Sequence, residues 1–219
     1  MKTEKAPADI TINPQRTAVL VLHMMNEQLK YRAGVTGYGP EFAESNKEWH
    51  IIENTKTLLD ASREKGIQVI YVRMYYRPGY PELPLDEEGM PEKVRLRKQG
   101  LYQEGSWATE IVDELKPVGN DIVVNNHTAS AFCYNELDIL LRNKNIRYLV
   151  ITGLSTKTVV ACTAIDANLR GYYNYVVKDC CNSRGGRKEH DMFIKEVLPA
   201  HAVIIDSKQY LQALQKIKK

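Results

Sequence analysis

TAVLVLHMMNEQ, spanning Thr17 to Gln28, is the stretch that decides the fold. Its first six residues run without a charged interruption, the pattern of a strand buried on both faces rather than one with a wet side. The run then stops on His23 and turns through Met24, Met25 and Asn26. In an open sheet of parallel strands, the carboxyl end of a strand is where ligands bind. A histidine at that place invites a functional explanation.

Working outward, similar short apolar runs recur at Ile67–Val72, Asp121–Val124, Arg147–Thr152, Tyr173–Val177 and His201–Ile205. Helical patterns fill the gaps. Glu44–Lys65 carries Ile51, Ile52, Leu58 and Leu59 at helical spacing, and further helices are expected over Trp107–Leu115, Ala131–Arg142, Thr158–Arg170, Arg187–Leu198 and Gln209–Ile217. Strands alternating with helices imply βαβ units and a mostly parallel sheet covered on both faces. Three loops should then frame a crevice: those after Leu22, Val124 and Thr152. Residues 76–105, with Pro78, Pro81, Pro84 and Pro91, are too long for a plain connection and read as a lid or an oligomer arm. The opening, residues 1–15, is polar and reads as a surface segment.

Composition narrows the function classes. The 219 residues suit one domain, the net charge is +3, and the tail carries a basic cluster of Lys216, Lys218 and Lys219. That balance gives no footprint for nucleic acid. No apolar run approaches the roughly 20 residues that span a bilayer, and no secretory pattern is seen, so a cytoplasmic protein is expected. The four cysteines, Cys133, Cys162, Cys180 and Cys181, form no CxxC pair. There is no GxGxxG and no GxxxxGK[ST], so no nucleotide fingerprint is present. No cofactor or metal is expected.

Five segments together resemble one family. TAVLVLHMMNEQ, SWATEIVDEL (Ser106–Leu115), DIVVNNHTASAF (Asp121–Phe132), VITGLSTKTVVACTAIDA (Val150–Ala167) and KDCCNSRGGRKEHD (Lys178–Asp191) are similar to the isochorismatase-like cysteine hydrolases. That family includes nicotinamidases, carbamoylsarcosine amidases and ureidoacrylate amidases. The resemblance runs from about Thr17 to about Lys208. It implies a single domain of α/β class, a three-layer Rossmann-like sandwich on a six-stranded sheet, and a homo-oligomer. It also implies a mechanism: a cysteine made nucleophilic at a helix N-terminus, an aspartate that carries the proton, a lysine between them, and an oxyanion hole in a turn shaped by a cis peptide.

Carried over residue by residue, the resemblance meets three substitutions. The aspartate position holds His23, the lysine position Asn126 and the cysteine position Val159. Gly153-Leu154-Ser155-Thr156 anchors the last register upstream and Thr163-Ala164-Ile165-Asp166-Ala167 anchors it downstream. Valine has no nucleophilic atom, so thiol chemistry is not expected there. Cys162 lies three residues on, about 4.5 Å along a helix axis, and reads as structural. Cys180 and Cys181 read as structural or oligomer-facing. His23 is expected to line a pocket, bonded to Asn126 or a backbone group; its use as a base is the alternative. Adjacent strand residues face opposite ways, so Asn126 and His127 should not both enter the pocket.

Leu154, Ser155, Thr156, Tyr75 and Phe132 are the candidate binding residues. Tyr76 and Tyr80 with Arg73 and Arg77 could meet an anion or an interface. Arg184 to Arg187 reads as a surface turn, and Asp166, Asp179 and His190 as framework. Two functions follow: a degenerate family member that binds a small molecule or a partner, or a hydrolase of small amides using altered chemistry around His23.

Overall fold

The computed structural model describes residues 10, 12–30, 40–84 and 91–217. The polar opening is therefore largely outside the described residues, as are Lys218 and Lys219 of the basic tail. The elements in chain order are β1 (Thr17–Leu22), α1 (Asn26–Leu29), α2 (Pro40–Glu48), α3 (Ile51–Glu64), β2 (Gln68–Met74), α4 (Pro91–Lys98), β3 (Ile122–Asn126), α5 (Leu137–Asn143), β4 (Tyr148–Leu154), α6 (Ala161–Leu169), β5 (Tyr173–Asn182), α7 (Gly186–Met192), β6 (Val203–Ile205) and α8 (Ser207–Gln215). The six strands form one sheet, all neighbours parallel, in the order β3-β2-β1-β4-β5-β6. Among the described residues, no helix is long and apolar enough to cross a membrane.

Strand β1 shows why the opening run specifies a central strand. Val19 and Val21 point into one core, with Leu58 and Leu59 of α3 and Tyr210 and Leu214 of α8. Ala18, Leu20 and Leu22 point into the other, with Leu137 and Leu141 of α5 and Ala164 and Ala167 of α6. The period-two alternation thus feeds two apolar layers, and all six residues are sealed. Each fully buried Leu or Val contributes about 1.5–3 kcal/mol relative to exposure.

The order of strands reverses between β1 and β4. The chain leaves β1 for β2 on one side and enters β4 from β3 on the other, so a crevice opens at their carboxyl ends. Gly153, near the end of β4, pairs with Leu22 at the end of β1. Its φ is +139°, and a Cβ there would lie 2.2 Å from the Leu22 carbonyl oxygen. Only glycine fits such a close approach.

Several element boundaries differ from the sequence expectation. The long pattern over Glu44–Lys65 is two helices, α2 and α3, broken at His50, whose φ of +54° cannot continue a right-handed helix. Trp107–Leu115 is two single 3₁₀ turns, Trp107–Thr109 and Asp113–Leu115, because Ile111 between them pairs as a bridge with Met25. The segment before Leu137 is turned rather than helical, with its backbone tied to side chains: the Thr163 hydroxyl accepts from Ala131 N at 3.0 Å, and the Asn135 amide donates to the Ala131 carbonyl at 2.9 Å.

Candidate functional site

The carboxyl ends of β1 to β5 enclose a cavity of about 440 Å³. His23 and Gln28 come from the segment after β1, Met74 and Tyr76 from the end of β2, and His127, Thr128 and Ala129 from the segment after β3. Leu154 at the end of β4 and the turn after it, with Ser155, Lys157, Thr158 and Val159, line another side, and Arg184 follows β5. The long excursion closes the remaining side with Lys93 and Leu96 from α4, and with Tyr102. The described residues of the excursion thus supply one wall of the cavity. Its neck is held shut by backbone bonds from Tyr76 N to Tyr102 O at 2.9 Å and from Glu104 N to Tyr76 O at 2.8 Å. Tyr102 also donates to the buried Glu27 carboxylate and accepts from the Gln28 amide at 3.1 Å, which fastens the excursion to α1.

His23 lines this cavity yet is almost fully buried, 4% exposed. Its backbone takes a left-handed φ of +52°, and its N–H donates to the Val72 carbonyl at 2.8 Å. Burial lowers its imidazole to about 4, so it is neutral at ordinary pH. Asn126 does not line the cavity: it is sealed beneath it, with its amide nitrogen 3.4 Å from His23 Nε2. Its orientation is fixed by its own loop. Oδ1 accepts from His127 N at 2.9 Å and Thr128 N at 3.2 Å, and Nδ2 donates to Thr128 O at 2.7 Å. An amide nitrogen facing His23 makes Nε2 the acceptor and leaves the His23 proton on Nδ1.

Val159 is buried in the cavity wall. The turn that contains it, Thr156–Val160, is one wide π turn, closed by Val160 N donating to Ser155 O at 3.3 Å, and it leads directly into α6. Such single wide turns recur at functional sites. The Leu154–Ser155 peptide is cis. Leu154 and Ser155 line the cavity, but Thr156 does not: it is buried, with its hydroxyl 2.8 Å from Nδ1 of His190. His190 is packed edge-on to Trp49, and burial lowers it to about 4.

Two other candidate binding residues stand elsewhere. Phe132 belongs to the core, stacked on Tyr172 and beneath the Arg170 guanidinium. The Tyr75 ring lies under Arg73, outside the cavity; what Tyr75 lends the site is its backbone carbonyl, 2.6 Å from His127 Nδ1. Tyr80 is buried, donating to the Leu101 carbonyl, and Arg77 pairs with Glu82. Sequence reasoning missed Gln28 of α1, and it missed Lys93, Leu96 and Tyr102 because nothing local shows that the excursion folds back over the strand ends. Arg184, expected only as part of a surface turn, borders the cavity, while Arg187 covers the Trp49 ring at 3.6 Å.

No cysteine is among the residues lining the cavity. Cys162 is half-buried; burial, Asp166 and Cys133 all push its thiol up, away from the thiolate. Burial pushes Cys180 well up and Cys181 up to about 12. Asp166 acts as framework, accepting from the Ser130 hydroxyl, and Asp179 accepts from Ser207 N at 2.7 Å at the start of α8. Among the described residues, no group of three or more His, Cys, Asp or Glu is placed to hold a metal ion.

With that geometry in place, residues 17–209 match the isochorismatase domain. The chain belongs to the isochorismatase family. Its relatives include the ureidoacrylate amidohydrolase of Caulobacter segnis, 31% identical over an alignment of 188 residues that covers 82% of this chain and 77% of the relative. The ureidoacrylate amidohydrolase of Cronobacter turicensis is 29% identical over 82% of this chain and 80% of its own. Among solved structures, N-carbamoylsarcosine amidase from Thermoplasma acidophilum superposes with a TM-score of 0.67 at 26% identity, covering 88% of this chain and 96% of that one. A cysteine hydrolase from Pseudomonas syringae pv. phaseolicola shares the fold, with a TM-score of 0.80 at 19% identity over 97% and 98% of the two chains. The isochorismatase fold expected from the five sequence segments is thus the fold observed.

Proposed function

We propose that this isochorismatase-family protein binds a small carboxylate carrying an amide or ureido group, and that it does so without thiol-dependent hydrolysis. The observation that carries the proposal is Val159. It occupies the cavity wall at the start of a helix, where the family resemblance expects the nucleophile, and no cysteine reaches that wall. A valine offers no lone pair to attack a carbonyl, so the thioester route has no starting atom.

The ligand class follows from the lining. Among the described residues, three cationic side chains border a largely apolar space, Lys93, Arg184 and Lys157, the last paired with Glu189 at 2.6 Å, and no acidic one lines it. A volume of about 440 Å³ lies within the usual range for small-molecule sites. The relatives' names, ureidoacrylate amidohydrolase and N-carbamoylsarcosine amidase, point to ligands that join a carboxylate to a carbamoyl group. Hydrolysis driven by His23 is the weaker account: its Nε2 lone pair is directed at Asn126, and an imidazole lowered to about 4 is a poor base near neutrality. The resemblance also motivates self-association and a cytoplasmic setting, which light scattering and cell fractionation check.

Calorimetric titration with ureidoacrylate and N-carbamoylsarcosine tests the binding claim, with Val159→Trp as the cavity-filling control. Saturable binding lost in the control supports it. Absence of binding to folded protein at millimolar ligand overturns it.

A further inference from the structure

Among the described residues, His127 is a lining imidazole that keeps one ring nitrogen without a protein partner. Its Nδ1 lies 2.6 Å from the Tyr75 carbonyl oxygen. A carbonyl oxygen only accepts, so Nδ1 carries a proton, and in the neutral form of the ring the lone pair lies on Nε2. The residue is pinned at three further points. Its N–H donates to Asn126 Oδ1 at 2.9 Å, its carbonyl accepts from the Tyr76 hydroxyl at 3.0 Å, and its ring lies 5.7 Å from that of Tyr76. Among the described residues Nε2 has no hydrogen-bond partner, and it is not among the sealed, unpartnered atoms. His23, by contrast, spends its acceptor nitrogen on Asn126.

We infer that His127 is the ligand-recognition residue of the cavity, its Nε2 accepting a hydrogen bond from an N–H of a bound amide or ureido compound. The inference deepens the proposed function and rests on the cavity being a ligand site. A preset tautomer on a pinned ring costs little ordering on binding. It also gives specificity: an analogue with an ester oxygen in place of the N–H brings a second acceptor to Nε2 and leaves both without a donor. The Tyr75 carbonyl acts as the positioning group that fixes which nitrogen faces the ligand.

The test pairs two probes of similar shape, succinamate with its terminal NH₂ and monomethyl succinate with an ester methoxy group. Three proteins are titrated: the native chain, His127→Phe, which keeps a ring without an acceptor, and His127→Gln, whose amide oxygen reaches the same region. The expected result is at least a roughly tenfold preference of the native protein for succinamate. The preference should vanish in His127→Phe and partly return in His127→Gln. In ¹⁵N spectra of the native protein, succinamate should shift the Nε2 resonance of His127, a readout that needs no variant to fold. Binding of both probes with equal strength, or binding of succinamate with an unmoved His127 Nε2 signal, overturns the inference while leaving the cavity a ligand site. Failure of the native protein to bind either probe, ureidoacrylate or N-carbamoylsarcosine overturns both.

Discussion

The Asn126 amide nitrogen stands 3.4 Å from His23 Nε2, beneath the floor of the cavity at the carboxyl end of the sheet. Two neutral groups meet where the family resemblance expects an acid and a lysine. The contact is long for a hydrogen bond, and the Asn126 amide makes a shorter one to Thr128 O at 2.7 Å. The loop after β3 is fixed mainly by the short bonds that Asn126 makes to Thr128 O and accepts from His127 N.

Buried neutral histidines make folding pH-dependent. His23 and His190 are both lowered to about 4 by burial, from an ordinary value of 6.5. Between those values the unfolded chain takes up protons that the folded chain refuses. The two histidines cost the fold nothing above pH 6.5, and stability is lost as pH falls from 6.5 toward 4, by about 2 kcal/mol per histidine at pH 5. Urea midpoints at pH 7.5 and 5 should show the drop, and His190→Gln should remove about half of it. Equal midpoints at the two pH values would count against buried, neutral histidines.

Gly153 is the position least able to change. With its φ of +139° and only 2.2 Å between an added Cβ and Leu22 O, alanine must push β1 and β4 apart. Gly153→Ala should cost more than about 3 kcal/mol or prevent recovery of folded protein. A melting temperature within a few degrees of the native one would refute the close packing of these two strand ends.

Tyr102 ties the excursion to α1 through Glu27 and Gln28. Tyr102→Phe keeps the ring but removes the hydroxyl donor to a buried carboxylate, so stability should fall by about 1–3 kcal/mol. Protease cleavage within the excursion should speed up, since its tether to α1 is weakened. Unchanged denaturation and cleavage would show that the tether contributes nothing.

Position 159 can be read out chemically. Val159→Cys places a thiol in the cavity wall, where alkylation by iodoacetamide should proceed and should slow when the cavity is filled. The native cysteines do not line the cavity, so their alkylation should not respond to ligand. Mass spectrometry of the alkylated peptides distinguishes the two cases. If alkylation of the introduced thiol ignores ligand, position 159 lies away from the site.

The sheet was legible because its signal is local: six apolar runs and the alternation in β1 that serves two cores. His23 and Val159 were legible as cavity residues because the strand ends and the glycine-led turn locate them. Asn126 and His127 were harder. Strand alternation showed that only one of them could enter the cavity, but the bonds that hold His127 come from the neighbouring strand end: its Nδ1 lies against the Tyr75 carbonyl, and its own carbonyl accepts from the Tyr76 hydroxyl. Tyr102 and Lys93 were hidden for the same kind of reason: their place is set by a chain reversal of the excursion, which no periodicity records. Phe132 misled because an aromatic beside a site motif serves equally well to fill the core against Tyr172.

The central claim is that this isochorismatase-family cavity works without a thiol nucleophile. Ammonia release from ureidoacrylate and N-carbamoylsarcosine by the native protein, before and after full alkylation of its cysteines, tests it most directly. The account predicts no release above the buffer rate in either state. Turnover that alkylation abolishes, and that Cys162→Ala also removes, would contradict it.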